Sequence, residues 1–359
     1  MNEAFACPDF QPKLHKRLLK HILREIPRND GTSDPNRVVI AHFAVLGLGI
    51  LGELDCISDA EKEKLISWVY SLQVVDDDEL VSGFQGSPLM NTKENRDKNA
   101  PYKWGHITNT YSSLAILLLL GDDLSRVNRK SITKSMKALQ NEDGSYTATR
   151  LGGTESDMRF VFCAACISYM LKDWSGVNIK SMIEYIHNCI SYEQGFGQIE
   201  GCEGHSGSTF CALASLYLSN NMDQISDVHK ERLIRWLVNK VNYGFSGRTN
   251  KPVDTCYSFW TGGALHLLGA YELLAPYEVH RHKIMYTQYK NGGLAKFENY
   301  PPDPLHTCLG LAGLSMMKID PLEDIFVPLI ITRKAHEHLK SLHDKWGDSP
   351  EENEKCLVL

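Results

Sequence analysis

The fourteen residues from Gly247 to Trp260, GRTNKPVDTCYSFW, bring two cations (Arg248, Lys251), a carboxylate (Asp254), a thiol (Cys256) and a phenol (Tyr257) into one short stretch. Pro252 ends any preceding helix and pre-sets the first turn of the next, so Asp254 and Cys256 are expected where an apolar helix begins, a helix that runs to Leu274. Side chains at i and i+2 diverge inside a helix. An Asp-x-Cys pair can therefore grip one ion only where the chain is still entering it. Taken alone, the pair reads more simply as a helix-terminal charge and a small buried hydrophobe. His306, in PPDPLHTCLGLAGL, shifts that balance, because another Pro-initiated apolar helix begins there about one structural repeat later. Carboxylate, thiolate and imidazole make a mixed O, S and N set that suits zinc and leaves its fourth tetrahedral position open for catalysis.

The elements that must position these residues read as helices throughout. Helical periodicity predicts helices over 10–25, 36–54, 59–72, 106–121, 127–140, 157–173, 179–191, 206–219, 227–241, 254–274, 279–289, 304–318 and 323–342. One long polar loop is expected from Asp76 to Tyr102. Glycine turns recur at Gly83, Gly144, Gly195, Gly244 and Gly293, with spacings of 61, 51, 49 and 49 residues. After each turn comes a helix rich in Ala, Cys, Ser and aromatics, and then a more charged one. That alternation implies an all-α closed ring of inner and outer helices, with the glycine turns gathered at one rim. His205, Arg248, Lys251 and Lys296 lie near helix starts or glycine turns, so an oily central hole with a cationic mouth is expected. Such a hole suits a long lipid carrying a diphosphate.

Composition narrows the class. The chain has 359 residues, 43% of them hydrophobic and evenly spread, which favours one large domain over two; residues 1–345 are expected to form it and 346–359 a disordered tail. A net charge of −6 without a basic run or an RNA-reading motif argues against nucleic acid. Ten scattered cysteines read as reduced and point to a cytoplasmic protein. No stretch is long and apolar enough for an integral membrane protein, and the amphipathic start does not resemble a signal peptide.

The repeat, together with NKPVDTCYSFW, EGHSGSTF and GGLAKFENYPPDPLH, resembles the β subunits of the zinc-dependent protein prenyltransferases, from about Arg37 to Met317. Within that family the type I geranylgeranyl enzymes are the nearest in motif. The resemblance implies an α-α toroid that works as an obligate heterodimer with an α subunit shared with farnesyltransferase. It implies Asp254, Cys256 and His306 as ligands of one Zn2+, with the thiol of the protein substrate as fourth ligand. His205, Arg248, Lys251 and Tyr257 match diphosphate-binding positions. Val39, Phe43, Arg159, Phe160, Trp260 and Leu305 match the lipid and peptide pocket, and the small Val39 leaves room for the fourth isoprene unit of geranylgeranyl diphosphate. Lys296 stands where the farnesyl enzyme carries a magnesium-holding Asp, so Mg2+ is expected not to be required. The implied substrates are proteins such as small GTPases, ending in C-a-a-X with X = Leu. This chain's own end, CLVL at Cys356 to Leu359, fits the same pattern and could serve as substrate or competitor.

Departures from the family pattern at Ser206, Leu294, Thr307 and Cys308 are expected to retune peptide choice. Farnesyl and Rab-type β subunits are the nearest alternatives. A terpenoid cyclase on the same toroid would need an acidic magnesium cluster, and neither Asp76 to Glu79 nor Asp122-Asp123 has the right form. A non-catalytic scaffold is the remaining alternative, in which Cys256 and His306 merely pack.

Overall fold

A computed structural model describes residues 7–25, 31–75, 81–91, 104–149 and 155–347. Among them the chain forms thirteen α-helices: α1 (Pro12–Arg24), α2 (Arg37–Ile50), α3 (Asp59–Ser71), α4 (Ile107–Leu119), α5 (Arg129–Leu139), α6 (Met158–Met170), α7 (Ile179–Asn188), α8 (Ser206–Leu218), α9 (Asp227–Val238), α10 (Tyr257–Leu267), α11 (Glu278–Met285), α12 (Pro304–Met316) and α13 (Arg333–Trp346). The even-numbered helices from α2 to α12 are buried on nearly every face. Helices apolar all round must sit inside, and here each packs on the next until α12 returns to α2, closing a ring. The more polar α1, α3, α9 and α11 pack on these inner helices from outside.

One backbone hydrogen bond repeats around the ring. The N–H of Val38, Ile107, Met158, Ser206 and Thr255 donates to the carbonyl of Gly86, Ala148, Gln198, Gly247 and Lys296, at 3.0, 2.9, 3.0, 2.8 and 3.2 Å respectively. In each case the start of one inner helix is tied to the glycine-turn loop that leads into the next. All the inner helices therefore begin at the same rim. Beneath the loops a large apolar side chain is buried in every repeat: Phe84, Tyr146, Phe196, Phe245 and Leu294.

The opposite end is closed. A two-stranded hairpin, β3 (Ile325–Phe326) and β4 (Ile331–Thr332), with a 3-10 turn at Val327–Leu329, packs on α8, α10 and α13. Tyr111 Oη on α4 donates to the Leu329 carbonyl at 2.9 Å. His338 and His343 of α13 bond the carbonyls of Asp122 and Met170, just after α4 and at the end of α6, at 2.9 and 3.2 Å. This arrangement corrects the expected helix over 323–342. The run IFVPLIIT is β-branched and carries Pro328, so it pairs as strands and the helix begins only at Arg333.

Two further boundaries move. The helix expected from 254 starts at Tyr257 and ends at Leu267, because Asp254 to Cys256 form the turn that enters it. Within the long loop, Gly83–Phe84 (β2) pairs antiparallel with Gln73–Val74 (β1), seating the first glycine turn. The acidic run at 76–79 and the CLVL terminus at 356–359 lie outside the described residues. All nine described cysteines are free thiols.

Candidate metal centre and its cationic rim

Asp254, Cys256 and His306 converge at the open rim, where the starts of α10 and α12 are neighbours. One donor atom from each lies within 4.8 Å of the other two. Asp254 Oδ1 accepts the Cys256 N–H at 3.0 Å and faces His306 Nε2 at 3.2 Å. The turn before α10 lets an i, i+2 pair converge, as the sequence requires. His306 sits in the first turn of α12, whose N-cap is Asp303 with Pro304 following. Asp303 acts twice: Oδ1 accepts the His306 backbone N–H at 2.9 Å, and Oδ2 bonds Nδ1 of the same residue at 2.6 Å. With Nδ1 occupied, Nε2 is the nitrogen left to meet a metal, the usual carboxylate–histidine arrangement of metal sites.

Electrostatics fit a cation at this point. Burial opposes charge on His306, but its bonds to Asp254 and Asp303 outweigh that and raise its pKa to about 9. Burial likewise opposes the charge on Asp254, and its bonds to His306 and Cys256 hold its carboxyl below the usual range. Burial and then the Asp254 charge push the Cys256 thiol far up. Two carboxylates and a thiol thus surround one imidazole that holds a proton in compensation, and a divalent ion would replace that proton and stabilise the thiolate. The O, S and N donor set suits zinc.

Next to this triad lies a neutral donor pair. His205 caps α8, and its Nδ1 accepts the N–H groups of Gly207 and Ser208 at 3.0 and 3.2 Å. Nδ1 is therefore the unprotonated nitrogen, so Nε2–H donates to Tyr257 Oη at 2.9 Å. The Tyr257 hydroxyl hydrogen is thereby left free for another acceptor. Burial lowers the His205 pKa to about 4 and raises that of Tyr257 to about 12, so both stay neutral near pH 7. Gly247 makes the pair possible, since a Cβ there would lie 2.0 Å from the Tyr257 ring.

The cations stand further out. Lys296 Nζ is 3.6 Å from Asp254 Oδ2 and its side chain is 49% exposed. Arg248 Nη1 pairs with Glu203 Oε1 at 2.6 Å, a partner the sequence reading did not consider. Lys251 is exposed at the lip and joins neither the triad nor the donor pair.

The pocket residues are dispersed around the ring. Val39 and Phe43 lie one turn apart on α2, partly accessible among buried neighbours. Trp260 on α10 packs on Phe210, and Leu305 precedes His306. Arg159 and Phe160 open α6, where buried Asp157 caps the helix and grips the Arg159 guanidinium at 2.6 Å. Deeper in the barrel an edge-to-face aromatic series runs from His42 through Tyr111, Phe162 and Phe210 to Phe259, with centroids 5.0–5.7 Å apart.

Asp303, Glu203 and Asp157 each hold a candidate site residue, His306, Arg248 and Arg159 respectively, and sequence reasoning missed all three. A signal existed for two of them: Asp-Pro and Asp-Met-Arg each place an N-cap carboxylate two or three residues before a site residue. Thr307 has a structural place as well. It is buried with Oγ1 accepting the Leu294 N–H at 3.0 Å, as Thr110 and Thr209 do for Phe84 and Phe196, so it holds a glycine turn. Asp122, weighed as a metal carboxylate, accepts the Leu124 N–H at 2.8 Å in a turn at the closed end, away from the site.

Residues 10–345 match the family described as the prenyltransferase alpha-alpha toroid domain. The chain is 37% identical over 327 residues to the geranylgeranyl transferase type-1 subunit beta of Arabidopsis thaliana, covering 86% of each. It is 36% identical over 334 residues to the subunit of the same name from Dictyostelium discoideum, covering 89% of this chain and 94% of that one. Its fold is similar to Candida albicans protein geranylgeranyltransferase-I, solved in complex with GGPP, with a TM-score of 0.82, 23% identity, and coverage of 93% and 99% of the two chains.

Proposed function

This chain belongs to the prenyltransferase α-α toroid family, and on that footing we propose that it is the catalytic β subunit of a type I protein geranylgeranyltransferase. The convergence of Asp254, Cys256 and His306 at the open rim, beside the His205–Tyr257 pair, is the observation that carries the reading. The relatives named for type-1 geranylgeranyl transfer support the choice of lipid.

Asp254, Cys256 and His306 would hold one Zn2+, which would supply the charge that stabilises the substrate cysteine as its thiolate. Asp303 holds Nδ1 of His306 and so leaves Nε2 as the nitrogen that would meet such an ion. The diphosphate of geranylgeranyl diphosphate lies against the Tyr257 hydroxyl, His205, Arg248, Lys251 and Lys296, which stabilise the charge that grows as the C1–O bond breaks. Sulfur takes C1, forming a thioether, and the diphosphate leaves with the bonding electrons. Lys296 neutralises that group without a second metal, so no Mg2+ is needed. The isoprenoid runs past Val39, Phe43 and Trp260 towards the aromatic floor. Arg159, Phe160 and Leu305 face the peptide, whose natural form is a C-terminal C-a-a-X with X = Leu. The partner is an α subunit shared with farnesyltransferase, and the complex acts in the cytoplasm; no helix among the described residues is long and apolar enough to cross a membrane.

A transfer assay tests the proposal. Co-expressed with a farnesyl-type α subunit, the protein should transfer geranylgeranyl in preference to farnesyl onto peptides ending in Leu, and Val39→Trp should move the preference towards farnesyl. More efficient farnesyl transfer by the unaltered protein to every peptide offered would overturn the assignment.

A further inference from the structure

An ionic network lies against the loop that carries Arg248 and Lys251, with Lys240 buried, Glu193 half-buried and Thr249 at the surface. Lys240, two residues beyond α9, has a side chain only 7% exposed, with Nζ 3.5 Å from Oε2 of Glu193, itself 14% exposed. The Thr249 hydroxyl stands between the two charges. It accepts a short hydrogen bond from Lys240 Nζ and donates to Glu193 Oε2 at 2.6 Å. Trp236 Nε1–H donates to the same carboxylate oxygen at 3.0 Å, and its ring lies 4.6 Å from Lys240 Nζ. That indole is seated over Gly195, where a Cβ would come within 2.7 Å of it. Burial opposes charge on Glu193, yet these hydrogen bonds and Lys240 bring its pKa down to about 2.

The backbone repeats the tie. The Lys240 carbonyl accepts both the N–H and the hydroxyl of Ser246, at 2.9 and 3.0 Å. Three separate segments are thus locked together: the turn at Glu193, the end of α9 and the loop 246–249.

An apolar trio would stabilise this spot as well as an ion pair, because desolvating two charges offsets most of their attraction. What the ionic network adds is a single geometry for Thr249. The two neighbours differ in their partners rather than in exposure: Thr249 bridges two charges on separate segments, whereas the Arg248 side chain, 40% exposed, pairs with Glu203 at the surface. To receive a diphosphate, Arg248 must give up or share Glu203, and its swing reaches the same place each time only if the backbone beneath it stays fixed.

We propose that Glu193, Thr249 and Lys240 form a positioning network for the prenyl diphosphate subsite, fixing the 248–251 backbone while Arg248 exchanges Glu203 for the ligand. This rests on the function proposed above. None of the three touches the reacting atoms.

The test uses the complex with its α subunit and compares Thr249→Val, which removes the hydroxyl at nearly constant volume, with Thr249→Ser, which keeps it. Binding of geranylgeranyl diphosphate and of inorganic diphosphate, peptide KM, zinc content and melting temperature are measured for each. Thr249→Val should weaken both diphosphates by roughly 10-fold, the scale of a hydrogen bond to a charged group. Peptide KM and zinc content should not change, and Thr249→Ser should stay within about twofold of the parent. Should Thr249→Val not assemble, Thr249→Ala carries the same expectation, since it removes the same hydroxyl. Unchanged diphosphate affinity, or equal loss for lipid and peptide with a lowered melting temperature, would overturn the inference. If the parent complex bound no geranylgeranyl diphosphate, the functional reading itself would fall, and the inference with it.

Discussion

Asp254, Cys256 and His306 are nearly inaccessible, and each is tied to another of the three or to Asp303, whereas Arg248, Lys251 and Lys296 stand on the same rim with exposed heads. The difference follows from what each half has to do. A resident ion needs ligands whose positions are set before it arrives, and burial with fixed tautomers provides that. On the proposed function a diphosphate must enter and leave every cycle, which suits cations with exposed heads such as Arg248, paired with Glu203 at the surface. His205 and Tyr257 join the two halves: neutral, half-buried and tied to each other, with the Tyr257 hydroxyl hydrogen free for another acceptor.

Lys296 belongs to both halves, and reversing its charge breaks the division most severely. Lys296→Asp should cut transfer roughly 100-fold in the absence of magnesium, the scale on which one transition-state donor acts. Millimolar Mg2+ should restore part of it, while strong magnesium stimulation of the unaltered complex would count against the role given to Lys296.

Asp303→Asn sharpens the comparison from the metal side. Asparagine still caps α12 but cannot hold Nδ1 with a charge, so zinc affinity, read by competition with a chelator, should fall by about 10–100-fold. Affinity for geranylgeranyl diphosphate should change little. Equal zinc retention by variant and parent would show that His306 needs no such support.

A smaller effect concerns stability away from both halves. His42 is buried with Nε2 unpaired, and burial lowers its pKa to about 4 from an ordinary 6.5. Between those values the unfolded chain binds a proton that the folded chain refuses, so stability is lost as pH falls. His42 alone should account for about 2 kcal/mol of the loss between pH 7 and pH 5. Denaturant melts of His42→Leu at the two pH values should show a shallower dependence than the parent; identical slopes would contradict it.

The sequence made the ring legible because helical periodicity is local and the glycine turns mark its phase, and all thirteen expected helices have counterparts in the fold. The hairpin at 325–332 was missed because a short apolar run looks the same to a helical period and to a buried strand; Pro328 was the cue. In the site, the three candidate metal ligands stood out by residue type. Glu203 did not, because its partner is 45 residues away and nothing in a rim glutamate announces a long-range pair. Asp303 read only as a helix cap, a role it also fills.

Metal content tests the central claim most directly. The purified complex should contain one zinc ion for each copy of this chain, and Cys256→Ser should lose it while the protein remains folded. Zinc absent from the parent, or retained undiminished in the variant, would contradict a metal centre built from Asp254, Cys256 and His306.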